Sequence, residues 1–152
     1  MNIIFVCTGN TCRSPMAEGF FKTLSADSGA FDVCSRGTHA IDGLSASEYS
    51  VIAASELGSD IANHASHQIT HADVSWADFI FTMTSSHASV LKAAFPESSQ
   101  KIFTIAEFAL SADVSDPYGG DLATYRECAA QLKAAVRKIY DKLSDDNNEH
   151  TL

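Results

Sequence analysis

The sequence predicts an α/β protein built on a parallel sheet, and three observations support this prediction. Four short apolar segments, rich in β-branched or aromatic residues, have the composition of strands: 2–7, 31–37, 77–83 and 101–105. Segments in which apolar residues recur at helical spacing lie between them. Strands that alternate with helices form βαβ units, whose strands run parallel. The length of 152 residues suits one domain with one core.

The first strand, 2–7, leads through a loop of small polar residues into the first helix. Ser14 is predicted to cap this helix, and Pro15 to be its first residue. Apolar residues then recur at every fourth position, at Met16, Phe20 and Leu24. Gly29 is expected to end the segment before the second strand.

Capping residues mark the second and third helices. Ser45 and Glu48 have the spacing of a capping box, which places the start of the second helix there. Leu57 and Gly58 end it. The short third helix begins at the pair Thr70 and Asp73, ahead of the third strand.

The last two helices complete the order of elements. The fourth is predicted to begin at Ser85 or Ser86 and to stop before Pro96. The fifth carries one apolar stripe, formed by Leu122, Tyr125, Ala129, Leu132, Val136, Ile139 and Leu143. From Ser144 onward the chain is acidic and polar. We therefore predict a single domain over residues 1–143 and a disordered acidic tail over residues 144–152.

Charge and composition exclude several classes of protein. The formal net charge of −9 argues against nucleic acid as a partner, because a phosphate backbone selects basic surfaces. No apolar run approaches the roughly 20 residues of a membrane helix, so no membrane partner is expected. The N-terminal segment lacks the features of a signal peptide. We expect a cytoplasmic monomer whose four cysteines are free thiols.

The loop that follows the first strand, VCTGNTCRSP over residues 6–15, has the composition of an anion site. Gly9 lets the backbone turn, and Asn10 tolerates a left-handed φ better than most residues. Successive N–H groups of such a loop converge on one point, next to the unpaired N–H groups of a helix N-terminus. Arg13 adds a planar fork that matches two phosphoryl oxygens.

Cys7 stands at the start of this loop, where its chemistry would be nucleophilic. A helix N-terminus and a nearby cation favour the thiolate form of a cysteine, and a thiolate beside a bound phosphoryl group can attack it. Ser14 can donate a hydrogen bond to the sulfur. The loop lacks the Gly-Lys-Ser/Thr ending of a nucleotide-binding loop. Cys7 and Cys12 lack histidines at ligand spacing, and four residues separate them, so neither a metal site nor a Cys-x-x-Cys redox pair is expected.

The segment VCTGNTCRSP resembles the signature of the low-molecular-weight protein tyrosine phosphatases, and the resemblance extends over nearly the whole chain. The segment DPYGG, residues 116–120, resembles the acid loop of that family. The resemblance implies a three-layer fold, in which a four-stranded parallel sheet carries helices on both faces. It also implies that the enzyme uses no metal and no cofactor and acts on phosphorylated proteins.

By position, the resemblance implies that Cys7 is the nucleophile, that Arg13 binds the phosphoryl group and that Asp116 is the general acid. Asp116 would then act as the base toward the hydrolytic water. The resemblance assigns further contacts with the phosphoryl group or the substrate to Thr8, Gly9, Asn10, Thr11, Cys12, Ser14 and Tyr118. Within this set, Asn10 would hold the unusual backbone of the loop. Pro117 would stiffen the acid loop, and His64 matches a family histidine near the nucleophile. The other histidines are expected at the surface.

Thr11 bears on the choice of substrate. With threonine at this place, the segment CTGNTCRSPMAE is more similar to the bacterial protein-arginine phosphatases of the family. The guanidinium N–H groups of phosphoarginine need acceptors, and a pocket that leaves them unpaired rejects the ligand. Thr11 and Asp116 are candidates for these acceptors. We therefore expect a protein phosphatase that prefers phosphoarginine.

Three alternatives stay open at this point. The first is a protein-tyrosine phosphatase of the same family. An arsenate reductase is disfavoured, because the segment after the third strand lacks the further cysteines of a disulfide relay. The third is a redox-sensing or phospho-binding module without turnover. For such a module, and for redox regulation of an enzyme, Cys12 is the candidate redox partner of Cys7.

Overall fold

A computed structural model describes residues 1–149 of the chain. Its four strands are β1, Asn2–Cys7; β2, Asp32–Gly37; β3, Phe79–Thr82; and β4, Ile102–Thr104. They form one sheet in the order β2-β1-β3-β4, and every neighbouring pair runs parallel. The four predicted strands and their parallel arrangement are confirmed.

Within residues 1–149, six α-helices connect or follow these strands. They are α1, Arg13–Ser25; α2, Glu48–Glu56; α3, His71–Trp76; α4, Ser85–Ala94; α5, Ile105–Ala109; and α6, Leu122–Glu149. A 3-10 helix, Pro96–Lys101, joins α4 to β4. No helix within residues 1–149 is long and apolar enough to cross a membrane.

The central strand β1 contributes to a core on each face of the sheet. Ile3 and Phe5 pack with residues of α1 and α6, whereas Ile4 and Val6 pack with residues of α3 and α4. This alternation follows from the period of two residues in a strand, which points successive side chains to opposite faces. Helices therefore cover both faces of the sheet, and the predicted three-layer fold is confirmed.

Two helix starts differ from the prediction. The first residue of α1 is Arg13, so Ser14 is not its cap; Cys12 takes that position without a side-chain hydrogen bond. The cap of α2 is Ser47, whose hydroxyl accepts from the N–H of Ser50. Ser45 instead lies in an isolated bridge with Ala65, which engages its backbone elsewhere.

The end of the chain also differs from the prediction. Residues 144–152 were expected to be a disordered tail, but α6 continues to Glu149. The apolar stripe ends at Leu143, yet no glycine or proline follows within the helix to stop it. Aspartate and asparagine are only mildly unfavourable in a helix, and propagating an existing helix is easier than nucleating one. Residues 150–152 lie outside the described part of the chain.

Candidate active site

A cleft of about 250 Å³ opens at the carboxyl end of β1. The strand order changes direction between β1 and β3, and such a switch point is where α/β sheets bind ligands. The cleft is lined by Cys7, Thr8, Gly9, Thr11, Cys12, Arg13, Asp116 and Tyr118. Every lining residue belongs to the predicted site, and the remaining two predicted residues, Asn10 and Ser14, are fully buried.

Asn10 shapes the loop between β1 and α1. Its φ of 57° is left-handed, as its residue type predicts. Its side-chain Nδ2 donates to Oγ of Ser14 at 2.8 Å and to Oγ of Ser35 at 3.0 Å. Its Oδ1 accepts from the backbone N–H of His67 at 2.9 Å. The Asn10 side chain thus ties the loop to β2 and to the segment that precedes α3.

The Cys7 sulfur has a defined hydrogen-bond partner. Oγ of Ser14 lies 2.9 Å from Sγ of Cys7, and Cys7 itself is only 2% exposed. Since Asn10 donates to Ser14 Oγ, the Ser14 hydroxyl keeps its own proton to give. Its acceptors are the sulfur and, more distantly, the Arg36 carbonyl at 3.4 Å. The Ser14 hydroxyl is therefore placed to stabilise a thiolate.

Gly37, at the end of β2, allows a close approach that the sequence analysis did not identify. A Cβ at this position would lie 2.5 Å from the Thr8 carbonyl oxygen and 2.7 Å from Cβ of Ala40. The backbone just beyond it donates to the loop: the N–H of Thr38 bonds to the Cys7 carbonyl, at 2.9 Å, and the N–H of His39 to the Thr8 carbonyl, at 3.0 Å. These two bonds join the start of the loop to the segment just after β2.

Arg13 joins the loop to the segment that carries Asp116, although 109 positions separate Asp116 from Cys7. The buried Arg13 guanidinium donates through Nη1 to the Val114 carbonyl at 3.0 Å. Its Nη2 lies 3.5 Å from the Asp116 carboxylate. The N–H of Val114 in turn donates to the Met83 carbonyl, at 2.9 Å, just beyond β3. The predicted cation and the predicted acid therefore share one cleft.

The acid loop is a tight turn with an exposed tip. The Asp116 side chain is 51% exposed, and its Oδ1 accepts from the N–H of Tyr118 at 3.1 Å. Pro117 is buried, and its carbonyl accepts from the N–H of Gly120 at 2.9 Å. Gly119 has a φ of 80°, which favours glycine. Tyr118 is 82% exposed and forms the rim of the cleft.

Cys12 and Thr11 lie on the side of the cleft next to α2. Sγ of Cys12 is 3.4 Å from Oγ of Ser47 and 3.6 Å from the hydroxyl of Tyr125. Burial, together with the contact with Cys12, raises the pKa of Tyr125 to about 12, so the phenol keeps its proton. The Thr11 carbonyl accepts from the N–H of Ser47 at 2.8 Å. All four cysteines are free thiols, as predicted.

Two histidines contact the loop. His64 donates through Nε2 to the Asn10 carbonyl at 2.7 Å, which places it against the loop that follows Cys7, the predicted nucleophile. His87 was expected at the surface, and this prediction is wrong: it is 8% exposed, and its Nε2 lies 2.8 Å from Oγ1 of Thr8. Burial, and secondarily the charge of Arg13, lowers the pKa of His87 to about 4. The sequence feature that could have identified His87 is its position shortly after β3. The carboxyl ends of parallel strands lie at the same end of the sheet, which is where the loop after β1 lies.

The chain matches known proteins over nearly its whole length. The family model for "Low molecular weight phosphotyrosine protein phosphatase" matches residues 2–149. A protein-arginine-phosphatase of Bacillus subtilis (strain 168) is 36% identical over 96% of this chain and 99% of its own. A low molecular weight protein-tyrosine-phosphatase, PtpB, of Staphylococcus haemolyticus is 36% identical over 91% of this chain and 97% of its own.

Solved structures agree with the sequence relatives. The YwlE arginine phosphatase from Geobacillus stearothermophilus superposes with a TM-score of 0.92, at 34% identity, over 98% of this chain and 96% of its own. The matched segment includes the loop, the acid loop and the sheet that holds them. This chain is therefore a member of the low-molecular-weight phosphotyrosine protein phosphatase family and a protein phosphatase.

Proposed function

We propose that the enzyme hydrolyses phosphoarginine in proteins through a cysteinyl-phosphate formed on Cys7. The observation that carries the proposal is one cleft in which the Cys7 sulfur, the Arg13 guanidinium and the Asp116 carboxylate meet. The arginine phosphatases of Bacillus subtilis and Geobacillus stearothermophilus, similar over nearly the whole chain, support it.

The first step transfers the phosphoryl group to the enzyme. The Cys7 thiolate forms a bond to phosphorus while the bond from phosphorus to the guanidino nitrogen breaks. Asp116 donates its proton to the departing nitrogen, which would otherwise be a poor leaving group. Arg13 and the N–H groups of the loop hold the three non-bridging oxygens, where charge develops in the transition state.

The second step regenerates the Cys7 thiolate and the protonated form of Asp116. The Asp116 carboxylate takes a proton from a water molecule whose oxygen attacks phosphorus. The sulfur–phosphorus bond breaks, and the Ser14 hydroxyl, 2.9 Å from the sulfur, stabilises the thiolate as it leaves. Inorganic phosphate then departs from the loop.

Three features favour a guanidinium over a phenyl ring. Thr11 and Asp116 both line the cleft and bring oxygen atoms that can accept guanidinium N–H groups. Tyr118 supplies the aromatic side chain of the lining, and it is exposed at the rim rather than packed into a narrow slot. The net charge of −9 favours approach of a basic protein segment.

The test compares kcat/KM for two peptides of the same sequence, one with phosphoarginine and one with phosphotyrosine. We expect wild type to prefer phosphoarginine, and we expect Thr11→Ile and the near-isosteric Thr11→Val to shift the ratio toward phosphotyrosine. Thr11→Ser keeps the hydroxyl and serves as the matched control. A wild-type preference for phosphotyrosine would contradict the proposal and favour the activity that the name of the PtpB relative states.

We further propose that oxidation switches the enzyme off reversibly. Peroxide would oxidise the Cys7 thiolate to a sulfenic acid, and the Cys12 thiol would displace water from it to form a disulfide. Both cysteines line the cleft as free thiols. Without Cys12, excess peroxide would oxidise the Cys7 sulfenic acid further to the sulfinic acid, which a dithiol does not reduce. With p-nitrophenyl phosphate as substrate, we therefore expect a dithiol to restore wild type treated with excess peroxide but not Cys12→Ser. If untreated wild type shows no turnover in reductant, the enzymatic proposal fails as a whole.

We also propose that the enzyme works as a monomer in the cytoplasm. A cysteine nucleophile needs a reduced thiol, and the cytoplasm keeps thiols reduced. Sedimentation equilibrium at micromolar concentration tests the monomer, and fractionation of the source cells tests the location.

A further inference from the structure

His87 is a buried histidine to which the proposed mechanism assigns no part. It is the third residue of α4, the helix that follows β3. Its Nδ1 lies 3.0 Å from Oγ1 of Thr84, the residue that caps α4, and its Nε2 lies 2.8 Å from Oγ1 of Thr8. The imidazole therefore bridges the start of a helix and the first residue of the nucleophile loop.

Thr8 differs from the deeper residues of the cleft in its exposure. Cys7 is buried at the base, whereas Thr8 is exposed, and both line the cleft. A phosphoryl group attacked by the Cys7 sulfur would lie at this base, and a leaving group in line with the sulfur would point toward the exposed side of the cleft. Thr8, like Thr11 and Tyr118, would therefore border the space that the leaving group occupies.

The hydrogen bond to His87 leaves the Thr8 hydroxyl able to accept. A hydroxyl oxygen has one proton and two lone pairs. If Nε2 of His87 is protonated, it donates to one lone pair of the Thr8 hydroxyl. If Nε2 is unprotonated, it accepts a hydrogen bond from the Thr8 hydroxyl, and both lone pairs of that hydroxyl stay unused. In both tautomers at least one lone pair of Thr8 Oγ1 remains for an N–H group of the substrate.

The surroundings of His87 keep it uncharged. Burial is the main cause that lowers the pKa of His87 to about 4. The charges of Arg13 and His39 act in the same direction, whereas Asp116 and Asp113 raise the pKa. A neutral imidazole puts no positive charge beside a cationic guanidinium. A charged one would repel that group and would make Nε2 an obligatory donor.

We propose that His87 is a positioning residue for substrate choice, which holds the Thr8 hydroxyl as an acceptor for the guanidinium of phosphoarginine. This inference rests on the proposed function and adds a second hydroxyl acceptor to that of Thr11. A phenyl ring has no N–H group to give to Thr8, so the pair His87 and Thr8 would aid phosphoarginine selectively.

The experiment measures kcat/KM for the paired phosphoarginine and phosphotyrosine peptides at pH 7. The variants are Thr8→Val, His87→Leu, their double mutant and His87→Gln, which retains a polar group at this position. His71→Gln, at an exposed position on α3, is the control for loss of a histidine. Thermal unfolding of each variant accompanies the kinetics, and Thr8→Val, at an exposed position, keeps the test valid if His87→Leu fails to fold.

We expect Thr8→Val and His87→Leu each to lower the ratio of the phosphoarginine value to the phosphotyrosine value by about tenfold. The double mutant should fall no further than either single mutant, because both remove one acceptor. His87→Gln should recover part of the loss, and His71→Gln should match wild type. Equal losses on both peptides, or additive losses in the double mutant, would overturn the role of His87.

The outcomes also separate this inference from the proposed function. If wild type prefers phosphoarginine and the variants keep that preference unchanged, the inference fails and the proposed function stands. If wild type itself prefers phosphotyrosine, the proposed function fails, and the inference fails with it.

Discussion

Ser14 Oγ and Cys7 Sγ lie 2.9 Å apart, and Nδ2 of Asn10 donates to the same hydroxyl at 2.8 Å. This arrangement leaves the Ser14 proton for the sulfur and matters most when the thiolate is the leaving group. We expect Ser14→Ala to lower kcat by about 10- to 100-fold, which corresponds to the loss of one hydrogen bond to a charged group. Single-turnover kinetics should show the cysteinyl-phosphate accumulating. Ser89→Ala, at an exposed position on α4, should match wild type.

Asp116→Asn keeps the shape of the acid but removes its proton. We expect kcat on phosphorylated peptides to fall by about 10²- to 10⁴-fold, the usual contribution of general acid–base catalysis. The loss of the acid should matter less for the first step with p-nitrophenyl phosphate, because nitrophenolate departs without protonation. Burst kinetics separate the two steps. Asp113→Asn, in the same segment, is the matched control. An equal loss in both variants would argue against an acid role for Asp116.

The buried neutral His87 makes stability depend on pH in a defined direction. Its pKa is about 4 in the fold, below the ordinary value of 6.5, so the unfolded chain binds more protons between these values. Stability from this group is complete above pH 6.5 and is lost as pH falls toward 4. We expect a loss on the order of 1–2 kcal/mol from this residue. Urea unfolding at pH 7, 5.5 and 4.5 should show a shallower acid dependence in His87→Gln, and identical slopes would contradict the assignment.

Ser144 offers a stabilising substitution. Its hydroxyl is buried within α6 and has no hydrogen-bond partner among residues 1–149. Alanine removes the unpaired group and suits a helix better, so we expect Ser144→Ala to raise the free energy of unfolding by about 0.5–1.5 kcal/mol. Urea denaturation measures this change. Ser111→Ala, at an exposed position beyond α5, controls for the loss of a hydroxyl elsewhere and should have little effect. A destabilised Ser144→Ala protein would show that the hydroxyl has a partner in solution.

Gly37 lies so close to the loop that there is no room for a side chain at its position. An alanine Cβ would press on the Thr8 carbonyl oxygen, in the loop that follows Cys7, and on the side chain of Ala40. We expect Gly37→Ala to cost about 1–3 kcal/mol of stability, as overpacking does, and to lower kcat. Gly58→Ala is the comparison: it adds a methyl group in open space at a φ of 91°, so it strains the backbone without touching the site. Loss of activity in both variants alike would point to stability rather than to loop geometry.

The elements that sequence predicts well are those that local rules decide. The left-handed Asn10, the four parallel strands and the start of α3 at the pair Thr70 and Asp73 each follow from residue type and spacing. Residues 7–14 and Asp116 could be assigned to one site from the sequence because the patterns of the loop and of the acid loop are both specific.

The features that sequence misses depend on contacts between distant segments. Ser45 and Ser47 have equal capping propensity, and the bond from the Ser47 N–H to the Thr11 carbonyl favours the second. His87 lies near Thr8 only because β1 and β3 are neighbours in the sheet. Likewise, Thr104 and Glu107 form the capping box that starts α5, a helix too short for its periodicity to stand out.

The hydrogen bond from Arg13 to the Val114 carbonyl limits how the segment that carries Asp116 can move. If the whole acid loop swung away, a buried guanidinium would lose that partner, and the link between Val114 and Met83 would break as well. Any swing must therefore hinge after Val114, so that only the tip over 115–120 adjusts to each incoming protein chain. Arg13 and the contact between Val114 and Met83 would then stay in place during turnover. Bulky residues next to the phosphorylated side chain would be accommodated by movement of residues 115–120.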